Sequence, residues 1–250
     1  STGQGETITG GDGNDAITIG DYASTVNGGA GNDTLTISSV TGGKLVSISG
    51  GEGNDTIALG VGTTTSVYDG GNGDDTFTLG GNTRLSGNLI GGAGTDTITF
   101  AANYDVSGQT FTLSSIDVIN LAATNASNVF LASQLSGQTL NFVGDSTTDA
   151  VTVAPATTST ATAVNLSGIN HNIGNVTVGN AAYGLIIKGS TAADNIIGTK
   201  GNDLIIFGNA LGANNGGADV VAGGTGNDIF QIDGSVAAAT TNGNATTYAA

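Results

Sequence analysis

Residues 10–99 contain five copies of one nine-residue motif: Gly-Gly-x-Gly-x-Asp, then a small residue, an aliphatic or aromatic residue and one more residue. The copies are GGDGNDAIT at 10–18, GGAGNDTLT at 28–36, GGEGNDTIA at 50–58, GGNGDDTFT at 70–78 and GGAGTDTIT at 91–99. They follow one another in steps of 18, 22, 20 and 21 residues, which is too regular to arise from a glycine-rich composition alone. The motif therefore predicts a repeat protein, in which each unit packs on the next.

The composition predicts many short strands. Aromatic residues make up 5% of the 250 residues and proline occurs once, while Val, Ile, Leu and Thr lie in short runs bounded by Gly and Asn. Such runs are typical of strands and lack the period of an amphipathic helix. Cysteine is absent, which excludes disulfides and thiolate metal sites, so another kind of bond must stabilise a chain with 44 glycines.

Charge and motif content exclude several functions. Four basic residues stand against twenty acidic ones, and the formal net charge of −16 argues against a nucleic-acid partner. No apolar run approaches the roughly 20 residues that a transmembrane helix needs. His171 is the only histidine, and the HExxH and GxSxG motifs of hydrolases are missing. We therefore expect no enzymatic activity, and we expect His171 to be a solvent-facing or Asn-paired turn residue.

Each part of the motif has a physical role. The glycines allow a tight turn, the Asp adds an anionic oxygen, and the aliphatic residue begins a half-buried strand. A single unit cannot bury its apolar face, so the units must stack. Stacking predicts an interior row of Ile17, Leu35, Ile57, Phe77 and Ile98. It also predicts a column of Asp15, Asp33, Asp55, Asp75 and Asp96.

Bare carboxylates in such a column, about 4.8 Å apart, would repel one another, and a divalent cation between neighbours would remove the repulsion. Carboxylate and carbonyl oxygens are hard donors, which favours Ca²⁺ over Zn²⁺ or Cu²⁺. The alternative is that glycine turns merely separate the strands and that each Asp caps its own turn.

The motif resembles the calcium-binding nonapeptide repeat of the RTX proteins, over residues 10–99 and again over 189–233. The resemblance implies an all-β fold, a right-handed parallel β-roll or β-helix solenoid with calcium-binding turns. It also implies that each ion lies between two loops of one edge and has six oxygen ligands. The earlier loop would give its second and fourth carbonyls and its Asp, and the later loop its first and third carbonyls and its Asp.

Carried over to this chain, five loops make four complete sites. The first would use Gly11, Gly13, Asp15, Gly28, Ala30 and Asp33; the second Gly29, Gly31, Asp33, Gly50, Glu52 and Asp55; the third Gly51, Gly53, Asp55, Gly70, Asn72 and Asp75; and the fourth Gly71, Gly73, Asp75, Gly91, Ala93 and Asp96. The turns midway between the motifs begin at 20, 41, 60 and 80 and lack the sixth-position Asp. We therefore predict ions on one edge only.

The rest of the chain is predicted to continue the solenoid. Residues 1–100 form the first β-roll, 101–188 an ion-poor continuation, 189–233 a second array, and 234–250 a tail or the start of a further segment. Strands are predicted at TFTLSS, DVINLA, NVFLAS, TLNFVG, AVTVAP, AVNLSG, NVTVGN and LIIKGS between 110 and 190. The alternative for this part is a separate β-sandwich with its boundary near Pro155.

The second array contains GSTAAD at 189–194, GTKGND at 198–203, NNGGAD at 214–219 and GGTGND at 223–228. Its spacing predicts that residues 208–214 bulge out. Asp203 and Asp228 would then share one edge, with carbonyls of Thr199, Gly201, Gly223 and Thr225 completing a site. Asp194 and Asp219 would share the other edge, in loops that both depart from the motif.

These observations indicate a structural function. The chain is most similar to RTX-type bacterial surface-layer proteins and adhesins, and the resemblance implies a secreted, calcium-dependent protein of the bacterial cell surface that is exported by type I secretion. It implies self-association into a surface lattice or filament, with a cell-surface glycan or lipopolysaccharide as a further partner. The alternative is an accessory or stalk module of a larger secreted enzyme or adhesin.

Overall fold

The structure, a computed structural model, describes residues 6–19, 23–37, 39–40, 46–62, 66–80, 85–100, 104–121, 127–144, 149–156, 161–173, 176–178, 181–190, 192–207, 219–232, 235–237 and 246–248. Compactness divides the chain into two units. Unit 1 comprises residues 1–102 and 108–123, and unit 2 comprises residues 103–107 and 124–250. The four segments predicted from the sequence remain a prediction.

Unit 1 is built from short strands in its described part. They are β1 (Glu6–Asp12), β2 (Ala16–Ile19), β3 (Ala23–Ala30), β4 (Thr34–Ile37), β5 (Ser39–Val40), β6 (Val46–Glu52), β7 (Thr56–Leu59), β8 (Val61–Gly62), β9 (Ser66–Asn72), β10 (Thr76–Leu79), β11 (Ser86–Ala93), β12 (Thr97–Phe100), β13 (Thr110–Ser114) and β14 (Val118–Leu121).

Two parallel sheets make up the body of unit 1. One has the strand order β1-β3-β6-β9-β11-β13, and within the unit the other runs β2-β4-β7-β10-β12-β14. Neighbouring strands of one sheet are not consecutive in the sequence, because the chain alternates between the two sheets. Each full turn of the solenoid, which we call a coil, contributes one strand to each sheet. Each glycine-rich turn joins a strand of the first sheet to a strand of the second. The prediction of an all-β parallel solenoid is confirmed.

The predicted interior row is also present, and four of its five members are buried, whereas Ile17 in the first turn is only half-buried. Ile17, Leu35, Ile57, Phe77 and Ile98 pair in register in that order, and Ile119 extends the row. Leu35, Ile57 and Phe77 have no exposed surface. In the other sheet, Val26, Ile48 and Leu89 are buried in the same way. Alternate residues of each strand therefore form a narrow core, and the turns lie at its edge.

Unit 2 is also composed mainly of strands. Its described elements are β15 (Ser127–Leu131), α1 (Ala132–Leu135), β16 (Asn141–Val143), β17 (Ala150–Ala154), β18 (Ala163–Asn165), β19 (Asn170–His171), β20 (Val176–Val178), β21 (Ala181–Tyr183), β22 (Leu185–Lys188), β23 (Asn195–Ile197), β24 (Asp203–Phe207), β25 (Asp219–Ala222), β26 (Ile229–Ile232), β27 (Ser235–Ala237) and β28 (Thr246–Tyr248).

The larger sheet of unit 2 has the order β15-β17-β22-β24-β26-β27, and a second has the order β18-β23-β25-β28. Their strands are parallel except for the last of each, since β27 and β28 pair antiparallel with β26 and β25. β16 and β19 pair in parallel, and β20 and β21 form an antiparallel pair. Parallel stacking supports the predicted solenoid and not the alternative β-sandwich.

All eight strands predicted between 110 and 190 are present, as β13 to β18, β20 and β22. The short helix α1 and the antiparallel β20–β21 pair were not predicted. The predicted bulge at 208–214 lies outside the described residues. No helix in the described part of the chain combines the length and apolar character of a membrane span.

Candidate metal sites

The six-residue turns of unit 1 are joined by a ladder of aspartate hydrogen bonds. The amide of each motif Asp donates to Oδ1 of the motif Asp in the next turn. The distances are 2.8 Å from Asp15 to Asp33, 2.7 Å from Asp33 to Asp55, 2.8 Å from Asp55 to Asp75 and 3.0 Å from Asp75 to Asp96. The predicted Asp column is therefore present. The alternative, in which each Asp caps its own turn, does not describe this ladder.

The second carboxylate oxygen of each member has no hydrogen-bond partner. Oδ2 is buried and unpartnered in Asp15, Asp33, Asp55, Asp75 and Asp96. The last four of these residues are at most 1% exposed. A buried anionic oxygen without a partner is destabilising by several kcal/mol in order of magnitude. Five such atoms at equivalent positions favour the same kind of ligand at each turn.

The first glycine of the motif leaves open the space that these oxygens face. A Cβ atom on Gly28 would collide with Oδ2 of Asp33 and with the carbonyl oxygen of Gly50. The same relation holds for Gly10, Gly50 and Gly70, each with its own Asp and the carbonyl of the next turn. A carboxylate oxygen and a carbonyl oxygen thus converge where no side chain intervenes. The chemistry of this donor set fits a hard cation.

The second glycine holds the turns close together. Gly29 has a φ of +117°, and a Cβ atom there would collide with the carbonyl oxygen of Gly11. Gly13 donates to the carbonyl of Ala30 at 2.6 Å, and Gly31 donates to that of Glu52 at 2.8 Å. A carbonyl oxygen has two lone pairs, so these hydrogen bonds leave one free for a cation. The six-oxygen ligand sets are compatible with these contacts and remain predictions.

The described residues contain no group of three or more His, Cys, Asp or Glu side chains that could hold a metal. The predicted sites do not need one, because each would draw two ligands from carboxylates and four from the main chain. The second prediction about these sites, that ions occupy one edge only, concerns turns that lie largely outside the described residues. It remains a prediction.

Electrostatics in the column favour a counter-ion. Burial raises the pKa of Asp55 and Asp75 from 3.8 to about 6, against the lowering effect of the amide hydrogen bond, and like charges in neighbouring turns raise it further. Burial also raises the pKa of Asp96, and the charge of Asp117 adds to that rise. The metal-free fold therefore disfavours the ionised carboxylates that it brings together.

A family model described as the RTX calcium-binding nonapeptide repeat, in four copies, matches this chain at residues 9–36, 42–65, 88–106, 186–209 and 214–231. These segments, which together make up less than half of the chain, are similar to RTX calcium-binding repeats. The copy at 70–78 lies outside the matched segments, but its Asp ladder and its first glycine have the same geometry as the others. No curated protein and no solved structure matches the chain.

The turns of unit 1 are also joined by a second ladder, which the Gly-Gly-x-Gly-x-Asp pattern does not predict because it leaves the fifth position unspecified. The side chain at this position accepts the amide of the fifth residue in the next turn. The distances are 2.8 Å from Asn32 to Asn14, 2.8 Å from Asn54 to Asn32, 2.9 Å from Asp74 to Asn54 and 2.7 Å from Thr95 to Asp74. The recurrence of Asn at this position was the available signal.

In unit 2 the structure pairs the turns as the spacing predicts. The amide of Asp203 donates to Oδ1 of Asp228 at 3.0 Å, and that of Asp194 donates to Oδ1 of Asp219 at 2.8 Å. A Cβ atom on Gly198 would crowd both Oδ2 of Asp203 and the carbonyl oxygen of Gly223. The Asp203–Asp228 pair therefore repeats the open space of unit 1.

The carboxylates of unit 2 nevertheless differ from those of unit 1, because hydroxyl residues replace the second glycine. Oδ2 of Asp203 accepts the amide of Thr199 at 2.7 Å, and the Thr199 hydroxyl lies 2.9 Å from Oδ1. Asp194 accepts the amide and the hydroxyl of Ser190 at 2.6 and 2.7 Å. Here the Asp caps its own turn. Asp203 and Asp194 are thus both satisfied within their own turns, and an ion at either pair remains a prediction.

The expectation that His171 faces solvent or pairs with Asn is wrong. Its side chain is 2% exposed, and its Nε2 lies 3.5 Å from Oδ1 of Asp203. Nδ1 lies 3.2 Å from the carbonyl oxygen of Ile173. The imidazole ring packs against Gly201 so closely that a Cβ atom on this glycine would collide with Nε2. The burial arises because the turn containing Lys200 stacks on this segment, through a 3.0 Å bond from its amide to the Ile169 carbonyl.

Gly144 and Asp149 in unit 2 repeat one contact of the predicted turns and were not predicted as a pair. Asp149 ends the sequence GDSTTD at 144–149 and is completely buried. A Cβ atom on Gly144 would collide with its Oδ2, as at the first glycine of the turns in unit 1. The signal was a glycine five residues before an Asp that directly precedes an alternating strand.

Proposed function

We propose that this chain is a structural protein that folds on extracellular calcium, with ions held between successive turns of unit 1. The observation that carries the proposal is the column of five buried, unpartnered Oδ2 atoms beside open glycine positions. The match to a calcium-binding repeat supports the choice of ion. Hard oxygen donors without nitrogen or sulfur favour calcium in the same way.

The four sites would be held by the ligand sets predicted from the RTX resemblance. Asp33, Asp55 and Asp75 would each serve the ion before and the ion after their turn, whereas Asp15 would serve one. Calcium, when bound, supplies the positive charge that the buried carboxylates lack. The protein's part is to hold the turns in register through the amide ladder, so that oxygens of two turns converge.

Folding would then depend on calcium concentration. Sites made mostly of neutral carbonyls bind in the extracellular range of roughly 10⁻⁴ to 10⁻³ M. Because such a site does not exist in the unfolded chain, the free energy of binding contributes to the free energy of folding. The chain would remain unfolded at low calcium inside the cell and fold after export.

We also propose a location and a partner. The RTX likeness favours type I secretion to the bacterial cell surface and self-association into a surface lattice or filament. The role assigned is structural, without catalysis, since the single histidine is buried beside Asp203. Electron microscopy of the purified chain should show ordered assemblies with calcium and none with a chelator. Monodisperse particles under both conditions would contradict self-assembly.

Calcium-dependent folding is tested by far-UV circular dichroism. With EGTA the spectrum should be that of a disordered chain, and millimolar calcium should restore β structure because it neutralises the buried carboxylates. Magnesium at the same concentration is the control, since it dehydrates reluctantly and demands a tighter octahedral geometry. A β spectrum that persists in EGTA would refute the proposed mechanism.

The sharing of carboxylates is tested by counting ions. Asp55→Ala should lower the number of bound calcium ions by two, because Asp55 lies between two sites. Asp15→Ala should lower it by one, since Asp15 begins the column. Asp12→Ala is the control, because this exposed third-position residue lies outside the column. Equal losses for Asp55→Ala and Asp15→Ala, measured by equilibrium dialysis, would contradict the stacking order.

A further inference from the structure

A sixth turn of unit 1 extends the Asp column without carrying the glycine motif. It lies between β13 and β14, at residues 115–117. The amide of Asp96 donates to Oδ2 of Asp117 at 2.9 Å. In return, the amides of Asp117 and Val118 donate to the carbonyl of Asp96 at 3.0 and 2.9 Å. Asp117 thus takes the same place relative to Asp96 that Asp96 takes relative to Asp75.

Ser115 supplies the backbone conformation that a glycine supplies elsewhere. Among the described residues it is the only non-glycine with a positive φ, of 52°. A Cβ atom on Gly91 would collide with the carbonyl oxygen of Ser115 and with Oδ2 of Asp96. In the preceding turn, a Cβ atom on Gly70 would meet the carbonyl oxygen of Gly91 and Oδ2 of Asp75. The unusual conformation therefore directs a carbonyl toward the same open space.

Asp96 is the residue that needs a partner in this space. It has no exposed surface, and its Oδ2 has no hydrogen bond. The predicted ligand sets end with Asp96 as the last residue of the fourth site, which leaves the other side of its carboxylate unexplained. Oδ2 of Asp96 and the carbonyl oxygen of Ser115 converge on that side, and Asp117 lies next to it in the column through its hydrogen bond from the Asp96 amide.

We propose that a fifth calcium ion is held between the turn at 91–96 and the turn at 115–117. This inference rests on the proposed function of unit 1. Its ligands are the carbonyls of Gly92 and Gly94, the carbonyl of Ser115 and the carboxylates of Asp96 and Asp117. The short turn has no third-position carbonyl, because one residue separates Ser115 from Asp117 whereas four separate Gly91 from Asp96. The site has one protein ligand fewer and binds calcium more weakly than the other four.

The test counts calcium ions on the whole chain by equilibrium dialysis. Asp117→Asn should bind one ion fewer than the unchanged chain, and the missing ion should be among the weakest bound. Asp12→Asn, which removes the same charge from an exposed position in unit 1, should bind the full number. An unchanged chain that binds no calcium would overturn the proposed function itself. A calcium-binding chain whose Asp117→Asn variant binds the same number would overturn only the fifth site.

If Asp117→Asn fails to fold, circular dichroism at saturating calcium will show a loss of β structure. In that case a second pair of variants, at Ser115, tests the fifth site. Ser115 is exposed, so substitutions there act through the backbone. Ser115→Gly keeps the positive φ and should bind the full number of ions. Ser115→Val is strongly disfavoured at this φ and should lose one ion. Equal ion counts in the two variants would overturn the fifth site.

Discussion

Single atoms decide the chemistry of the turns. Within one turn of unit 1, Oδ1 of the Asp joins the amide ladder, and Oδ2 faces the space that the first glycine leaves open. The second motif position separates two kinds of turn. A glycine there leaves Oδ2 without a partner, as in Asp33, whereas Thr199 and Ser190 satisfy the carboxylate from within the turn. The amide and the hydroxyl of these two residues thus provide the partners that the carboxylates of unit 1 lack.

Filling the open space with one methyl group should remove one ion. In Gly50→Ala the new Cβ would collide with Oδ2 of Asp55 and with the carbonyl of Gly70, both predicted ligands of the third site. We expect one calcium ion fewer by equilibrium dialysis and a higher calcium midpoint for folding by circular dichroism. Gly108→Ala is the control, because a Cβ atom there meets nothing within 4 Å. An unchanged ion count in Gly50→Ala would contradict the assigned ligands.

At the scale of elements, two ladders of opposite direction connect successive turns. In the Asp ladder the earlier turn donates its amide to the later side chain, and in the Asn ladder the later turn donates to the earlier side chain. The two ladders fix the register of adjacent turns from both sides. The strands that follow are thereby aligned, as the pairing of Leu35 with Ile57 illustrates.

Breaking the Asn ladder should cost stability without removing calcium. Asn32→Ala deletes the acceptor for the amide of Asn54, and a hydrogen bond of this kind contributes about 1 kcal/mol. Urea unfolding at saturating calcium should show a loss of that order, with the ion count unchanged. Asn227→Ala is the matched control, since Asn227 is the last member of the unit 2 ladder in the described chain. Equal losses in both variants would show that the ladder bond adds nothing.

The turns of the motif could be predicted from sequence because their geometry is local. A glycine spacing that repeats fixes both the turn and the column of Asp15 to Asp96. The turn at 115–117 could not be predicted, since a left-handed serine leaves no motif. His171 was placed wrongly for a related reason. Its burial depends on contacts with the turn at 198–203, about thirty residues later. The sequence around His171 does not predict these contacts.

At the scale of the whole molecule, the buried carboxylates link folding to pH. Burial raises the pKa of Asp55, Asp75 and Asp228 to about 6, above the value of 3.8 for an unperturbed Asp. Between about pH 4 and 6 the folded metal-free chain therefore binds more protons than the unfolded chain. Its stability falls as the pH rises through this window and increases as the pH falls.

In calcium-free buffer, lowering the pH from 7.5 to 5 should therefore increase β structure in the circular dichroism spectrum. Protons would neutralise the buried carboxylates in place of the cation. Asp55→Asn combined with Asp75→Asn is the control, and this variant should show a smaller response because two of the titrating groups are gone. A spectrum that does not change over this range, or that loses β structure, would contradict the raised pKa values.

The antiparallel strands of unit 2 bear on how copies of the chain can join. β27 and β28 occupy the open edges of β26 and β25, so the main-chain groups of those edges already have partners. A neighbouring molecule cannot add a parallel coil there without displacing them. The edges of β26 and β25 therefore do not offer free main-chain groups as a template for a further parallel strand.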